Sequence, residues 1–289
     1  SADVGSSDLS KMTIAQGLMF LCGLGLVLYP FVSNWWNQQV SSQVIETYDE
    51  ALAQQASQSI EEEFKKADDY NQALAKLFFP LEDYMDLDGY NEILNPSGTG
   101  MMGYIEIEKI DVKLPIYHGT SHQILNTAVG HLEGSSFPTA KPSTHSVLSA
   151  HRGLPNAVLF SQLDKLSEGD RFQVTILNHK QEYEVDQIKI VDPYDVENLY
   201  IEPGKAYCTL LTCTPYGVNS QRLLVRGHPV DAAPKGTVNE AVEMSSLLIA
   251  PVLFVLLLGL LLWAENWVEK KVGSKSGKEY WDENNYDSL

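Results

Sequence analysis

The stretch TLLTCTPYGVNSQRLLVRGHPV, residues 209–230, contains two β-type runs joined by a loop. Pro215 follows closely on the run that ends at Cys213, so the chain must leave the sheet there. Reactive groups are commonly placed where a loop leaves a rigid scaffold. If residues 214–221 form a hairpin loop, Arg222 lies opposite or nearly opposite Cys213. Its guanidinium could then face an oxyanion that develops at the thiol.

Residues 102–230 as a whole have the pattern of a β domain. Alternating or β-branched runs are separated by Gly, Pro and Asn, which predicts at least seven strands. The runs are 103–107, 112–117, 144–150, 171–177, 180–191, 206–213 and 222–228. Apolar spacing predicts one helix between them, at 157–166. Many short strands with a single crossover helix favour a closed or half-closed β-barrel.

Composition excludes several classes of protein. The chain has 289 residues, 44% of them hydrophobic, so it can bury a substantial core. Its net charge of −18 would repel phosphate backbones, so we expect no nucleic-acid partner. Three cysteines in a chain of this length give neither a disulfide framework nor a CxxC pair.

Two uncharged segments predict membrane anchors at both ends of the chain. Residues 12–32 and 244–264 are each long enough to cross the hydrocarbon core of a membrane, which takes a helix of about 20 apolar residues. Lys11 precedes the first segment, and four lysines follow the second, so both termini should be cytoplasmic and the region between them extracellular. For the first segment, a cleaved signal peptide is the alternative.

The segment after the first anchor predicts a helical extension. An apolar stripe recurs every three or four residues from Ile45 to Phe64, which indicates one buried helix face. Pro80 ends this pattern and an acidic loop follows. Residues 41–100 hold 13 acidic and 3 basic residues. Such a run of acidic residues is usually a solvated surface. The more specific hypothesis is that the loop covers a functional site.

These patterns divide the chain into seven segments. In order, we expect a cytoplasmic tail (1–11), a transmembrane helix (12–33), a helical extension with an acidic lid-like loop (34–101), a β-barrel (102–230), a linker (231–243), a second transmembrane helix (244–264) and a cytoplasmic tail (265–289).

The candidate catalytic residues are Cys213, His151 and Arg222. His151 follows the run 144–150 and opens a loop. It is thus presented at a strand end, as a base or acid for a thiol must be. Cys208 lies five positions before Cys213, so it points to the opposite sheet face and should be a small core residue. Arg226 lies four residues beyond Arg222, about 13 Å away at strand rise, and is expected to be structural.

The segments 209–230, 144–155, 128–138 and 102–121 together resemble class C, pilus-building sortases of Gram-positive bacteria. The TLxTC signature is met by Thr209, Leu210, Thr212 and Cys213. The resemblance implies an eight-stranded sortase barrel with short helices, a helical N-terminal extension, an anchor at each end, and Cys213, His151 and Arg222 as the catalytic set.

The acidic loop departs from the pattern of this class. Such sortases commonly carry an Asp-Pro-aromatic lid before the barrel, and no such tripeptide occurs in residues 65–100. Asp83-Tyr84 is the nearest match, and Asp86 is a further candidate in the same loop. Glycines at 89, 98 and 100 should leave this segment mobile. We therefore expect a mostly open site, with this loop shaping substrate access.

The implied reaction is transpeptidation through a thioester, with pilins or other surface proteins bearing an LPxTG-like sorting signal as partners. Two alternatives remain: a housekeeping-type sortase acting on a cell-wall precursor, and a non-catalytic membrane-tethered scaffold. We expect no cofactor. The histidine spacings contain no HExxH motif, so we expect no metal either.

Overall fold

The computed structural model describes residues 4–53, 55 and 57–231. The predicted second membrane segment and C-terminal tail lie outside these residues. The helices are α1 (Val4–Ala53), α2 (Ser57–Leu74), α3 (Pro80–Asp83) and α4 (His122–Leu125), with 3-10 turns at Tyr84–Asp86, Glu108–Ile110, Leu163–Lys165 and Glu197–Leu199. The strands are β1 (Met101–Ile107), β2 (Val112–His118), β3 (Val129–His131), β4 (Thr144–Ser149), β5 (Arg171–Ile176), β6 (His179–Val191), β7 (Ala206–Thr214) and β8 (Gln221–Val230).

The eight strands close into a barrel in the order β1-β2-β3-β4-β7-β8-β6-β5. This confirms the predicted eight-stranded barrel. Strands β2 and β3 pair in parallel, as do β4 and β7. Seven strands coincide with the β-type runs in the sequence. The eighth, β3, has only three residues, too few for an alternating pattern to be recognised.

The helix predicted at 157–166 is wrong. These residues form turns, followed by a single 3-10 turn at Leu163–Lys165. Leu159 has a positive φ of 42°, which an α-helix cannot contain. Leu159, Phe160 and Leu163 are nevertheless buried. The apolar spacing thus correctly indicated burial but not helical geometry.

The strands around Cys213 separate two hydrophobic clusters. Cys208 and Leu210 belong to the main core inside the barrel. On the opposite sheet face a smaller cluster forms, against which Leu211 packs. We call this smaller cluster the outer cluster; its buried members are Val147, Val191, Leu199 and Leu224. Alternation along β7 places Cys213 on the same face as Leu211, outside the barrel.

Helix α1 is continuous from the predicted membrane segment into the extension. Its part from Gly17 to Ala53 has a mean hydropathy of 1.6 in its most apolar window, none of which is buried, so it is long and apolar enough to cross a membrane. Further along, Ile45, Tyr48 and Leu52 are buried against the barrel. The Tyr48 hydroxyl donates to Met102 O at 2.6 Å, which fastens α1 to β1.

Candidate active site

Cys213 and Arg222 are direct partners in the ladder between antiparallel β7 and β8. The next pair, Thr214 and Gln221, closes the ladder, and the connecting loop begins there. The Arg222 guanidinium donates to Asn219 O at 3.3 Å and to Gln221 O at 3.0 Å. Its charge is therefore held at the mouth of the hairpin loop. Cys213, its partner in the ladder, is half-buried.

His151 follows β4, which lies on the other side of β7. The parallel register pairs Ser149 with Leu211. It is extended by two hydrogen bonds, from Ala150 N to Leu211 O at 3.2 Å and from Thr212 Oγ1 to Ala150 O at 2.8 Å. Two residues beyond the Ser149–Leu211 pair, the same register places His151 beside Cys213. Cys213 is thus flanked by His151 on one neighbouring strand end and by Arg222 on the other.

The surroundings of His151 favour its neutral form. Partial burial lowers the pKa of His151, and the nearby His122 lowers it further. The two imidazole rings lie 5.7 Å apart at an angle of 52°. A neutral imidazole beside a thiol can accept the thiol proton. The sequence assigns no role to His122, because its contact with His151 carries no local sequence signal.

Arg152 is a second residue that sequence reasoning missed. It is buried and donates to Thr214 Oγ1 at 3.2 Å, which connects the loop after β4 to the end of β7. It also donates to Asp164 Oδ2 at 2.6 Å. Its guanidinium also lies over the Tyr216 ring, 5.9 Å from the centroid. These contacts fix the residue after His151 to the residue after Cys213.

The other cysteines and Arg226 lie apart from this constellation. Cys208 is fully buried, and burial raises the pKa of its thiol, so it is a poor nucleophile. Cys22 is exposed on α1. Arg226 pairs with both carboxylate oxygens of Asp186 at 3.0 Å and stacks over the Tyr207 ring, 4.0 Å from its centroid. These contacts give Arg226 a structural environment.

The acidic loop packs on the barrel rather than projecting away from it. Asp83 accepts a hydrogen bond from Phe79 N at 3.3 Å, and Asp86 is exposed. Tyr84 is half-buried against Gly134, in the loop between β3 and β4. Gly134 has a φ of +81°, and a Cβ there would approach Pro80 O to 2.8 Å, so only glycine permits this seating.

Leu81 is the residue of this loop that reaches the catalytic face. It packs against the outer cluster, as does Leu211, two positions before Cys213 on the same face. Among the described residues, no hydrogen bond joins Asp83, Tyr84 or Asp86 to the three catalytic candidates. The loop therefore contacts the outer cluster through Leu81, a residue that the sequence analysis did not single out.

Comparison with known proteins identifies the family. A profile of the sortase domain matches residues 105–230. Sortase C1 from Streptococcus agalactiae has a solved structure that is 47% identical, with a TM-score of 0.61, and the match covers 66% of this chain and all of that one. The chain belongs to the sortase family. This sortase also resembles sortase C from Clostridium perfringens, at 40% identity and a TM-score of 0.55, over 66% of this chain and 99% of that chain.

Curated relatives agree on the family but are more distant. Sortase D of Bacillus subtilis is 31% identical over 131 residues, which is 44% of this sortase and 63% of that protein. Sortase A of Staphylococcus aureus is 25% identical over 209 residues, covering 71% of this sortase and 87% of that protein. The sortase thus spans less than two thirds of the B. subtilis relative. Family membership indicates a cysteine transpeptidase.

Proposed function

We propose that this sortase is a membrane-anchored class C transpeptidase that joins pilin subunits through isopeptide bonds. The observation that carries the proposal is the register of three neighbouring strands, β4, β7 and β8, which brings His151, Cys213 and Arg222 to one end of the barrel. A nucleophile, a proton carrier and a cation at one sheet end are the groups that acyl transfer requires.

Acylation uses all three groups. The Cys213 sulfur attacks the Thr carbonyl of an LPxTG-like signal, and the thiol proton passes to the neutral His151 imidazole. Arg222 stabilises the negative charge that develops on the carbonyl oxygen. His151 then donates its proton to the glycine amine as the Thr–Gly bond breaks. The products are a Cys213 thioester and a free Gly-bearing tail, so the bond energy is retained without a nucleotide.

The second half-reaction reverses the proton movement. A pilin lysine amine attacks the thioester carbon, and His151 accepts a proton from that amine. The C–S bond breaks, and the thiolate of Cys213 is reprotonated from His151. The product is an amide between the Thr carboxyl group of one subunit and the lysine of the next.

The outer cluster supplies an apolar floor for the sorting signal. It lies on the same face as Cys213, and Leu211 extends it toward the thiol. An apolar side chain of an extended peptide that ends at Cys213 would bury its surface there, a contribution of about 1.5–3 kcal/mol for a fully buried Leu. Leu81 must then share this floor with the peptide or leave it.

Membrane anchoring and the pilin substrate draw support from two further observations. Helix α1 contains a stretch that is apolar enough to cross a membrane, with none of its most apolar window buried. A similar solved structure, 38% identical, is described as sortase C1 of the GBS Pilus Island 1. We propose that residues 41–240 lie outside the cell and both termini inside.

Polymer formation from purified components tests this function. The full chain in detergent is mixed with pilin subunits that carry a sorting signal, and products are separated on a denaturing gel. A covalent ladder with the wild type, absent with Cys213→Ala, is the expected result. A single acyl transfer to a small amine without a ladder would instead indicate housekeeping-type transfer, and no covalent product would favour a scaffold.

A further inference from the structure

A single turn of helix α1 is hydrogen-bonded to the loop that follows His151. Asn37 Nδ2 donates to Asn156 O at 2.6 Å, and Ser33 Oγ donates to the same oxygen at 3.2 Å. Asn34 Oδ1 accepts from Val158 N at 3.1 Å. Three polar side chains of one helix turn thus satisfy the backbone of a loop more than a hundred residues away in sequence. Such backbone groups would otherwise need water or another partner.

This loop is connected back to His151 by its own contacts. Phe160 N donates to His151 O at 3.2 Å, which joins the two ends of the segment 151–160. Just beyond that segment, Ser161 Oγ accepts from Gly153 N at 3.0 Å and joins it at a second point. Leu159 and Phe160 are buried in the main core. A displacement of residues 156–158 would therefore reach the backbone of His151 through a short, packed path.

The same turn also carries the interfacial aromatic residues of the anchor. Trp35 and Trp36 are 57% and 63% exposed, directly after the apolar stretch that ends at Val32. Tryptophans at the end of an apolar helix are typical of the membrane–water interface. One face of the turn thus bears the exposed aromatics while another holds the His151 loop.

We propose that Asn37 is a positioning residue of this sortase, whose hydrogen bond to Asn156 O holds the His151 loop against the anchor helix and so keeps the imidazole aligned with Cys213. This inference rests on the proposed role of His151. The helix that anchors the enzyme would then be part of its catalytic architecture, and the active site would be held close to the level at which α1 emerges from the bilayer.

The two asparagines have opposite hydrogen-bonding roles, which provides a matched pair of variants. Asn34 needs only an acceptor, so Asn34→Asp keeps the bond from Val158 N. Asn37 needs a donor, so Asn37→Asp places a carboxylate against the Asn156 carbonyl and leaves both oxygens without a proton between them. The substitutions are chemically identical and lie one turn apart. Asn37→Ala removes the donor without adding charge.

The test measures kcat and KM for acyl transfer from a sorting-signal peptide, using the full chain in lipid nanodiscs. Because small misalignments of catalytic groups lower rates steeply, we expect Asn37→Asp to lower kcat at least about tenfold, with KM within about twofold. Asn37→Ala should lie between this variant and the wild type. Asn34→Asp should retain kcat within about twofold. Thermal unfolding shows whether each variant is folded.

Two outcomes would overturn the proposal: a folded Asn37→Asp protein with wild-type kcat, or equal losses in the two Asp variants. If Asn37→Asp does not fold, wild-type kcat in Asn37→Ala would overturn it equally. His151→Ala, measured in parallel, separates this question from the proposed function. An active His151→Ala protein would refute the mechanism itself, whereas an inactive one together with an unaffected Asn37→Asp would refute only the positioning role.

Discussion

Cys213 and Arg222 face each other directly across β7 and β8. Cys213 is the last outward-facing residue of β7 before the connecting loop, and Arg222 is the first outward-facing residue of β8 after it. Directly opposed residues of an antiparallel pair have Cβ atoms about 4.5–5.5 Å apart. The guanidinium, with its fixed set of donors, can therefore reach an oxygen bound at the thiol without any rearrangement of the sheet. The register itself produces this proximity.

The nucleophile is tested by replacing each cysteine in turn. Cys213→Ala should abolish thioester trapping because no other described thiol lies on the same strand face. Cys208→Ala should keep its activity and lose about 1–2 kcal/mol of unfolding free energy, since it removes a buried core side chain. Cys22→Ala should leave both quantities unchanged. Mass spectrometry of the trapped acyl-enzyme and denaturant unfolding provide the readouts.

Arg222 and Arg226 lie on the same face of β8, so their alanine variants can be compared directly. Arg222→Ala should lower kcat about 100-fold or more, as expected for loss of an oxyanion-stabilising donor, with little change in the melting temperature. Arg226→Ala should do the reverse, because it breaks the pairing with Asp186 and the stacking on Tyr207. Steady-state kinetics and thermal unfolding distinguish the two. Similar kinetic defects in both variants would contradict these assignments.

The protonation of His151 should depend on His122. Burial and the electrostatic effect of the nearby His122 both lower the pKa of His151. His122→Gln leaves only the burial effect, so the pKa of His151 should rise. The NMR titration midpoint of the His151 ring should move to higher pH. His179→Gln, which alters a ring that packs on Phe64, serves as the control and should leave this midpoint in place. An unchanged midpoint in His122→Gln would show that the two rings are not coupled.

His131 should make the fold sensitive to acid. Burial lowers the pKa of His131 to about 4, from a normal value of 6.5. Below pH 6.5 the unfolded chain binds a proton that the folded chain does not, so stability should fall as the pH drops from about 7 to 4. The full shift corresponds to about 3 kcal/mol. His131→Gln should flatten this part of the curve of unfolding free energy against pH. An unaltered slope would mean that other groups cause the acid sensitivity.

Leu81 should compete with the sorting signal for the apolar floor beside Cys213. Leu81→Ala uncovers part of the outer cluster, so KM for the peptide should fall several-fold. The alkylation rate of Cys213 by a small reagent should change less than about threefold, because Leu81 packs on the outer cluster and the site is expected to be mostly open. Met85→Ala is the control, since Met85 is 78% exposed. A tenfold rise in alkylation would instead show that the loop closes over the thiol itself.

The sequence was informative wherever structure depends on neighbours along the chain. The opposition of Cys213 and Arg222 could be predicted because a hairpin sets its own register. The helix expected at 157–166 could not be distinguished from a buried loop, because both place apolar residues at similar spacings. The contact between His122 and His151 joins α4 to the exit from β4, and no local pattern encodes it. Leu81 could not be predicted because an apolar residue without charge or aromatic ring carries no signal that distinguishes it from its apolar neighbours in the loop.

Closure of the barrel also limits how a sorting signal can be recognised. Every described strand has a neighbour on both sides, so no free row of backbone N–H and C=O groups is offered along the ladder that carries Cys213. A substrate peptide cannot bind by adding a strand, a mode in which main-chain pairing gives affinity with little regard to sequence. Selectivity must instead come from side chains on the outer face and from the loops around it. Exchange of those loops between sortases should therefore transfer substrate preference while leaving the barrel unchanged.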